Sequence, residues 1–396
     1  MMMSAPRSSL RVVRHAALAC LLGLTACASS QSGNATGTGG ASGTGGVSGT
    51  GGTTGTGGAA TGGTTGTGGA ATGGTVGTGG TTVDAGSDLM SNPDASGDAA
   101  ATGWGGVPGI EDFSTVKPSA GCGMMPGQAL GSWVRYTVTI PPPGPNRGTG
   151  NREYFIKLPT NYDPNKKYFL VFTAPGCGGK GNAPAFDLSG PAGTEGVIQI
   201  GMTPDPGASQ NGPCFDDKRT DSVEYAFFEA MWTAADKKLC WDQHKVFFIG
   251  HSSGSWLSNQ MGCVYGMKKI RAIGPASGGL ADQPGEAPPC TDLPTPGIWS
   301  HNEDEPKETD NPAGNPYVGT IRAITRALKV NRCVGDFTTS KKEPYNAVGT
   351  AAGICDKFTS CPAEFPIVLC HPPHGGHTDN LGPIPARTWQ FIKSVL

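Results

Sequence analysis

The sequence predicts an α/β domain: a mostly parallel central sheet with helices on both faces, opened by an antiparallel hairpin. Three observations carry this. Val134, Tyr136, Val138 and Ile140 alternate with Arg135, Thr137 and Thr139, the period-two pattern of a strand with one buried face. The apolar runs at 168–172, 196–200, 245–249, 270–273 and 366–369 are continuous, as in central strands covered on both sides. Between two of them, residues 221–238 place Val223, Phe227, Ala230, Met231 and Ala234 at helical spacing behind Thr220-Asp221-Ser222, a capping region. Strand alternating with helix gives a parallel sheet. A second strand at 152–158 follows the first across Pro141-Pro142-Pro143-Gly144 and Gly148, so the two form a hairpin with a long loop.

Upstream of this domain the chain has a different character. Arg7, Arg11 and Arg14 precede an apolar stretch at 16–24, which reads as an export signal and is too short to span a bilayer. Leu24-Thr25-Ala26-Cys27 resembles the lipobox of bacterial lipoproteins, in which the signal is cut before the cysteine and that cysteine is acylated. Residues 1–27 are therefore a lipoprotein signal, with Cys27 as the lipidated mature N-terminus, outer-membrane or surface anchored; an ordinary secretory signal is the other reading, and both export the chain. Residues 28–104 are almost entirely Gly, Thr, Ala and Ser, without the apolar side chains that offset ordering entropy, and read as a disordered tether. A Gly-rich coil of roughly 75 residues spans on the order of 50 Å, enough to hold a domain clear of a lipid surface. Asp84, Asp88, Asp94 and Asp98 do not fit a calcium loop and count as solvated linker charge.

Residues 105–396 suffice for one large catalytic domain. A net charge of −2, with no basic stripe, excludes nucleic acid as the expected partner. Of 12 cysteines, ten remain once Cys20 and Cys27 are set aside, an even number suited to disulfides in an oxidising compartment. Spacing does not give their pairing, although Cys355 and Cys361 are close enough to close a local loop; a cysteine nucleophile at Cys177 or Cys370 is the minor alternative.

Chemistry concentrates in two places. After the strand at 245–249 comes Gly250-His251-Ser252-Ser253-Gly254, a Gly-x-Ser-x-Gly motif, then a plausible helix from Ser255. The strand before and helix after give this motif its meaning: a turn this tight tolerates no flanking side chains, and it presents the Ser252 hydroxyl at a helix N-terminus, where N–H groups favour a developing oxyanion. A serine nucleophile needs a histidine base and a carboxylate to orient it. His377, behind two glycines on a loop near the C-terminus, is the expected base; His371 and His374 are its rivals, and the three together resemble a metal cluster only superficially, because prolines and glycines separate them. His251 and His301 are expected to be structural. The acid is expected in His301-Asn302-Glu303-Asp304-Glu305-Pro306, after a strand near 297–300, with Asp310 an outlier; Asp304 is chosen over Glu305 because most such triads use aspartate. Trp256 and Trp299 flank the motif as either pocket walls or core.

The run from Arg152 to Pro164, the strand at 168–172, Gly176-Cys177-Gly178-Gly179, the Ser252 elbow and the Gly375-Gly376-His377 loop resemble, in order, the polyhydroxybutyrate depolymerase and feruloyl esterase family. The resemblance implies an α/β-hydrolase fold, no metal or organic cofactor, and an oxyanion hole formed by the N–H groups of Cys177 and Ser253. This chain has Pro175-Gly176 where the family usually has His-Gly, and a longer acid loop in which Glu305 holds the acid's place by strict spacing from His301. The implied activity is serine-dependent hydrolysis of carboxylic esters on extracellular polymers: feruloyl or acetyl esters of polysaccharide, or polyhydroxyalkanoate. The alternative is a non-catalytic surface binding module on a decayed hydrolase scaffold; a metallohydrolase on the histidine cluster is a third reading.

Overall fold

The computed structural model describes residues 107–396 except 108, 142–149, 205–212, 217–218, 283, 306–317 and 379–380. The export signal, Cys27, the tether and Asp310 lie outside the described residues.

The alternating and continuous apolar runs become strands of one mixed sheet. β1 (Trp133–Ile140) and β2 (Gly150–Lys157) pair antiparallel, in register from Trp133 opposite Lys157 to Ile140 opposite Gly150. β2 also runs antiparallel to β4 (Ile198–Met202), which is parallel to β3 (Tyr168–Ala174). From β3 the parallel order continues through β5 (Trp241–His251), β6 (Ala272–Ala276), β7 (Gly297–Ser300) and β10 (Ile367–Cys370). β9 (Cys355–Phe358) and β8 (Lys342–Pro344) close the far edge antiparallel. The sheet order is β1-β2-β4-β3-β5-β6-β7-β10-β9-β8.

Helices cover both faces, which is why the central runs are apolar at every position. Leu170, Phe172, Val246 and Phe248 pack with Phe227, Phe228 and Met231 of α2 (Val223–Asp236), Leu257 and Met261 of α3 (Ser253–Tyr265), and Ile324 and Leu328 of α4 (Val318–Val330). Their neighbours Phe169, Val171, Phe247 and Ile249 point the other way, onto Ala192 of α1 (Ser189–Ala192) and Ile384, Phe391 and Ile392 of α5 (Ile384–Ser394). The α/β-hydrolase architecture with its opening hairpin is thus present. Boundaries shift by a few residues: the strand read at 245–249 extends to Trp241–His251, and the helix read at 221–238 starts after Ser222, whose hydroxyl accepts from the Glu224 N–H at 3.1 Å. α4, β8 and β9 were not anticipated.

All ten domain cysteines pair: Cys122 with Cys240, Cys177 with Cys214, Cys263 with Cys290, Cys333 with Cys361, and Cys355 with Cys370. The expected Cys355–Cys361 loop does not form. Cys355 stands directly opposite Cys370 on the antiparallel β9/β10 ladder, whereas Cys361 lies in the turn beyond β9, where the Val334 N–H donates to the Ser360 carbonyl beside Cys333. Neither Cys177 nor Cys370 carries a free thiol.

Candidate active site

Ser252 lies between the end of β5 and the start of α3 with φ 54° and ψ −124°, a backbone conformation that costs on the order of 1–3 kcal/mol in a non-glycine residue. The flanking glycines make the turn possible. A Cβ at Gly250 would lie 2.1 Å from the Gly254 carbonyl oxygen, and one at Gly254 would lie 2.0 Å from that of Ala174. The turn is tied down by Ser252 itself, whose N–H donates to the Ala276 carbonyl at 3.0 Å and whose carbonyl accepts from the Ser255 and Trp256 N–H groups at 2.8 and 3.1 Å.

His377 comes from the loop between β10 and α5. Its Nε2 lies 2.7 Å from Ser252 Oγ and its Nδ1 lies 2.6 Å from Glu305 Oε1. The carboxylate that meets His377 is therefore that of Glu305, and Asp304, the residue chosen from the sequence, is not the one. The reason is positional: the loop after β7 turns Asp304 outward, where it accepts from the N–H groups of Gly375 and Gly376 at 3.2 and 2.8 Å, while the longer glutamate side chain reaches inward, only 7% exposed. The second Glu305 oxygen is 3.1 Å from Nε2 of His301, itself 1% exposed.

The histidine loop is fastened at three points: the Asp304 carboxylate on its two glycines, the Asn302 amide donating to the Gly376 carbonyl at 2.8 Å, and His251 Nε2 at 2.7 Å from the His377 carbonyl. Burial lowers the pKa of His251 and of His301, so both stay neutral near pH 7. The hydrogen bond to Glu305 raises that of His377 against the opposing effect of partial burial. His251 was expected to be structural and holds the His377 carbonyl, while Asn302 and the loop-capping role of Asp304 were missed from the sequence. Each acts on a backbone group from a distant segment, and only the adjacency of Asn302 and Asp304 to the acid hinted at it.

On the other side of Ser252 runs Pro175-Gly176-Cys177. A Cβ at Gly176 would come within 3.1 Å of Ser252 Cβ, so glycine lets this segment lie against the nucleophile. In its turn the Gly178 N–H donates to the Pro213 carbonyl at 2.6 Å and the Gly179 N–H to the Gly176 carbonyl at 3.0 Å. Cys177 is bonded to Cys214, and the adjacent Phe215 N–H donates to Ser253 Oγ at 2.8 Å, so Cys177 and Ser253 are held by one short strap.

The rival histidines face elsewhere. His371 Nδ1 is 3.0 Å from Glu303 Oε1 and its Nε2 3.2 Å from Asp356 Oδ2, while His374 Nδ1 is 3.6 Å from Asp304. Among the described residues no group of three or more His, Cys, Asp or Glu side chains could hold a metal ion. Trp299 is core, its Nε1 donating to Asn259 Oδ1 at 2.9 Å; Trp256 is half-buried at the start of α3.

No family model matches the chain. Feruloyl esterase C of Emericella nidulans is 25% identical over 305 residues, 73% of this chain and 98% of that protein. A probable feruloyl esterase C of Aspergillus terreus is 27% identical over 175 residues, 42% of this chain; the chain spans 56% of the length of that relative. Among solved structures, an acetyl xylan esterase from Aspergillus awamori aligns over 65% of this chain and 99% of its own at 16% identity and a TM-score of 0.45. The sheet and the helix layers give this chain an α/β-hydrolase architecture, and the curated relatives it is similar to are named as feruloyl esterases.

Proposed function

We propose that the chain is an exported serine carboxylic-ester hydrolase acting on polymer-linked esters, with Ser252 as nucleophile, His377 as general base and Glu305 as the acid. The observation that carries the reading is the unbroken relay from Ser252 Oγ to His377 Nε2 at 2.7 Å and from His377 Nδ1 to Glu305 Oε1 at 2.6 Å. In the proposed reaction His377 takes the Ser252 proton as the oxygen attacks the ester carbonyl. The N–H groups of Cys177 and Ser253 receive the oxyanion. His377, held in one tautomer and stabilised as imidazolium by Glu305, returns the proton to the departing alcohol; water then opens the acyl-enzyme by the same route. No step calls for a metal or organic cofactor.

A non-catalytic binding module on a decayed scaffold would be under no constraint to keep three distant side chains in hydrogen-bond contact, and the relay favours catalysis over it. The relatives named as feruloyl esterases favour feruloyl and similar aryl esters over aliphatic polyester as substrate. Five disulfides suit an oxidising, extracellular setting. We place the chain's attachment to a membrane in lipid at Cys27; among the described residues no helix is long and apolar enough to cross one.

The test is turnover of p-nitrophenyl acetate, methyl ferulate and polyhydroxybutyrate by the full chain beside Ser252→Ala. Wild-type turnover of methyl ferulate with a dead variant supports the proposal; a folded wild type as inert as the variant on every ester overturns it. Radiolabelled palmitate incorporation that disappears in Cys27→Ala tests the anchor.

A further inference from the structure

Glu305 spends one carboxylate oxygen on His377, and its other oxygen, Oε2, is closed off from water. A carboxylate spreads its charge over both oxygens, and an oxygen left unanswered in the interior is costly. The polar atom beside Oε2 is Nε2 of His301, 3.1 Å away, in a contact bent from the linear hydrogen-bond direction.

His301 is held in place from two sides. It follows β7 directly, its backbone N–H donates to the Cys370 carbonyl at 2.9 Å, and its ring is buried. Across the ring, Nδ1 lies 3.0 Å from the hydroxyl of Thr320 on α4, and that hydroxyl lies 2.8 Å from the Gly278 carbonyl. Burial keeps the ring neutral near pH 7, so it has one N–H to place. The carboxylate beside Nε2 can only accept, whereas the Thr320 hydroxyl can donate to Nδ1, which puts the proton on Nε2. The opposite tautomer would leave Thr320 its bond to Gly278 but would set a ring lone pair against a buried carboxylate, the costlier of the two losses.

We propose that His301 is a positioning residue for the reaction: its Nε2–H holds the outer oxygen of Glu305, which aims the inner oxygen at His377 and limits the negative charge His377 meets. The role rests on the esterase reading and adds a fourth side chain to its relay. The titratable groups facing Glu305 are His377 from the loop before α5, His301 from the end of β7 and, within reach of its charge, His251 from the elbow. Asp304 is turned to the glycines of the histidine loop. Among the described residues α4 meets the ring through Thr320, while its Arg322 goes to Asp282 and its Arg326 to the Thr291 carbonyl. Taking the donor away from Oε2 leaves more charge for the imidazolium, so His377 keeps its proton to higher pH.

The experiment is the pH profile of kcat/KM on one chromogenic ester for the full chain as wild type, His301→Leu, His301→Asn and His301→Gln, each checked for folding by urea unfolding. Leucine removes both ring nitrogens, asparagine keeps a nitrogen only near the Nδ1 position, and glutamine keeps one near the Nε2 position. His301→Leu and His301→Asn are expected to move the acidic limb up by about half a pH unit or more and to lower kcat about tenfold. His301→Gln keeps the wild-type limb and regains most of kcat. The upward shift is opposite in sign to what loss of the Glu305 charge gives, and a merely structural role would lower kcat without moving the limb. An active wild type whose limb stays put in His301→Leu and His301→Asn, or moves as far in His301→Gln, overturns this role alone. A wild type inert on every ester fails the esterase reading, and this role falls with it. Should the variants not fold, wild type with isotope-labelled histidine answers by NMR near neutral pH: a neutral His301 ring protonated on Nε2 is expected, and one protonated on Nδ1 alone overturns the proposal.

Discussion

His377 Nδ1 lies 2.6 Å from a carboxylate oxygen of Glu305, a residue 7% exposed, while the preceding Asp304 holds the glycines of the histidine's own loop. Two adjacent acids thus have separable tasks, and substitution separates them. Glu305→Gln removes the charge that stabilises the imidazolium and orients the ring, so kcat falls by roughly 10³- to 10⁴-fold. Asp304→Asn keeps an acceptor for the loop N–H groups and loses only charge-assisted strength, a change of about tenfold or less. Steady-state kinetics on one chromogenic ester decide it; a larger loss in Asp304→Asn than in Glu305→Gln would sink the assignment of the acid.

The same contact sets the pH profile. Glu305 raises the pKa of His377, and only the neutral imidazole can accept the serine proton. Hydrolysis therefore rises with pH through a midpoint above the ordinary histidine value of about 6.5. The stabilising charge pair between protonated His377 and Glu305 runs the opposite way: it is fully present below the ordinary value and is lost as pH climbs through the raised one. In Glu305→Gln the acidic limb of kcat/KM moves to lower pH even as the plateau drops. A limb that stays put would mean that another group controls it.

Period-two and continuous apolar runs made the hairpin and central strands legible, because each face of a strand is either covered or not. Ser252 was legible from glycines that a tight turn requires, and His377 from its place after the last central strand. Side-chain reach was not: nothing in Glu303-Asp304-Glu305 shows which carboxyl the loop turns inward. The edge strand β8 and its neighbour β9 escaped because they are short, three and four residues, and β8 is fully exposed, so neither offers an apolar period to read.

Cys177 is joined to Cys214 across 37 residues, and Phe215 beside it holds the Ser253 hydroxyl. A loop of that length gives about 4 kcal/mol of stabilisation by chain entropy. Replacing both cysteines by alanine should lower stability by about 2–4 kcal/mol and also loosen the proposed oxyanion donor. The control is the Cys333/Cys361 pair, of similar separation at 28 residues and distant in sequence from Ser252 and Cys177. Both double variants should lose similar stability in urea, while only Cys177→Ala/Cys214→Ala loses kcat at a temperature where both are folded. Equal kcat in the two would remove Cys177 from the chemistry.

Arg152 and Glu224 form an ion pair at 2.9 Å with side-chain exposures of 2% and 0%, linking β2 to the start of α2. Burial pushes the Glu224 carboxyl upward, opposed by the charge of Arg152, and its Oε1 also accepts from the Asp216 N–H at 3.2 Å. Asp216 follows Phe215, which holds Ser253, so the pair supports the strap beside the nucleophile. Arg152→Met leaves a buried carboxyl without its partner and should cost about 3–5 kcal/mol. Adding Glu224→Leu removes the orphan and should recover most of that loss, since an apolar pair of similar volume often matches a buried ion pair. The recovered double variant should still show reduced kcat, because the Asp216 N–H has lost Glu224 as acceptor, one of the hydrogen bonds that fasten the residue next to Phe215. A double-mutant cycle read by urea unfolding and by ester turnover tests both halves: no recovery of stability would refute the orphan-charge argument, and full wild-type kcat would uncouple the ion pair from the active site.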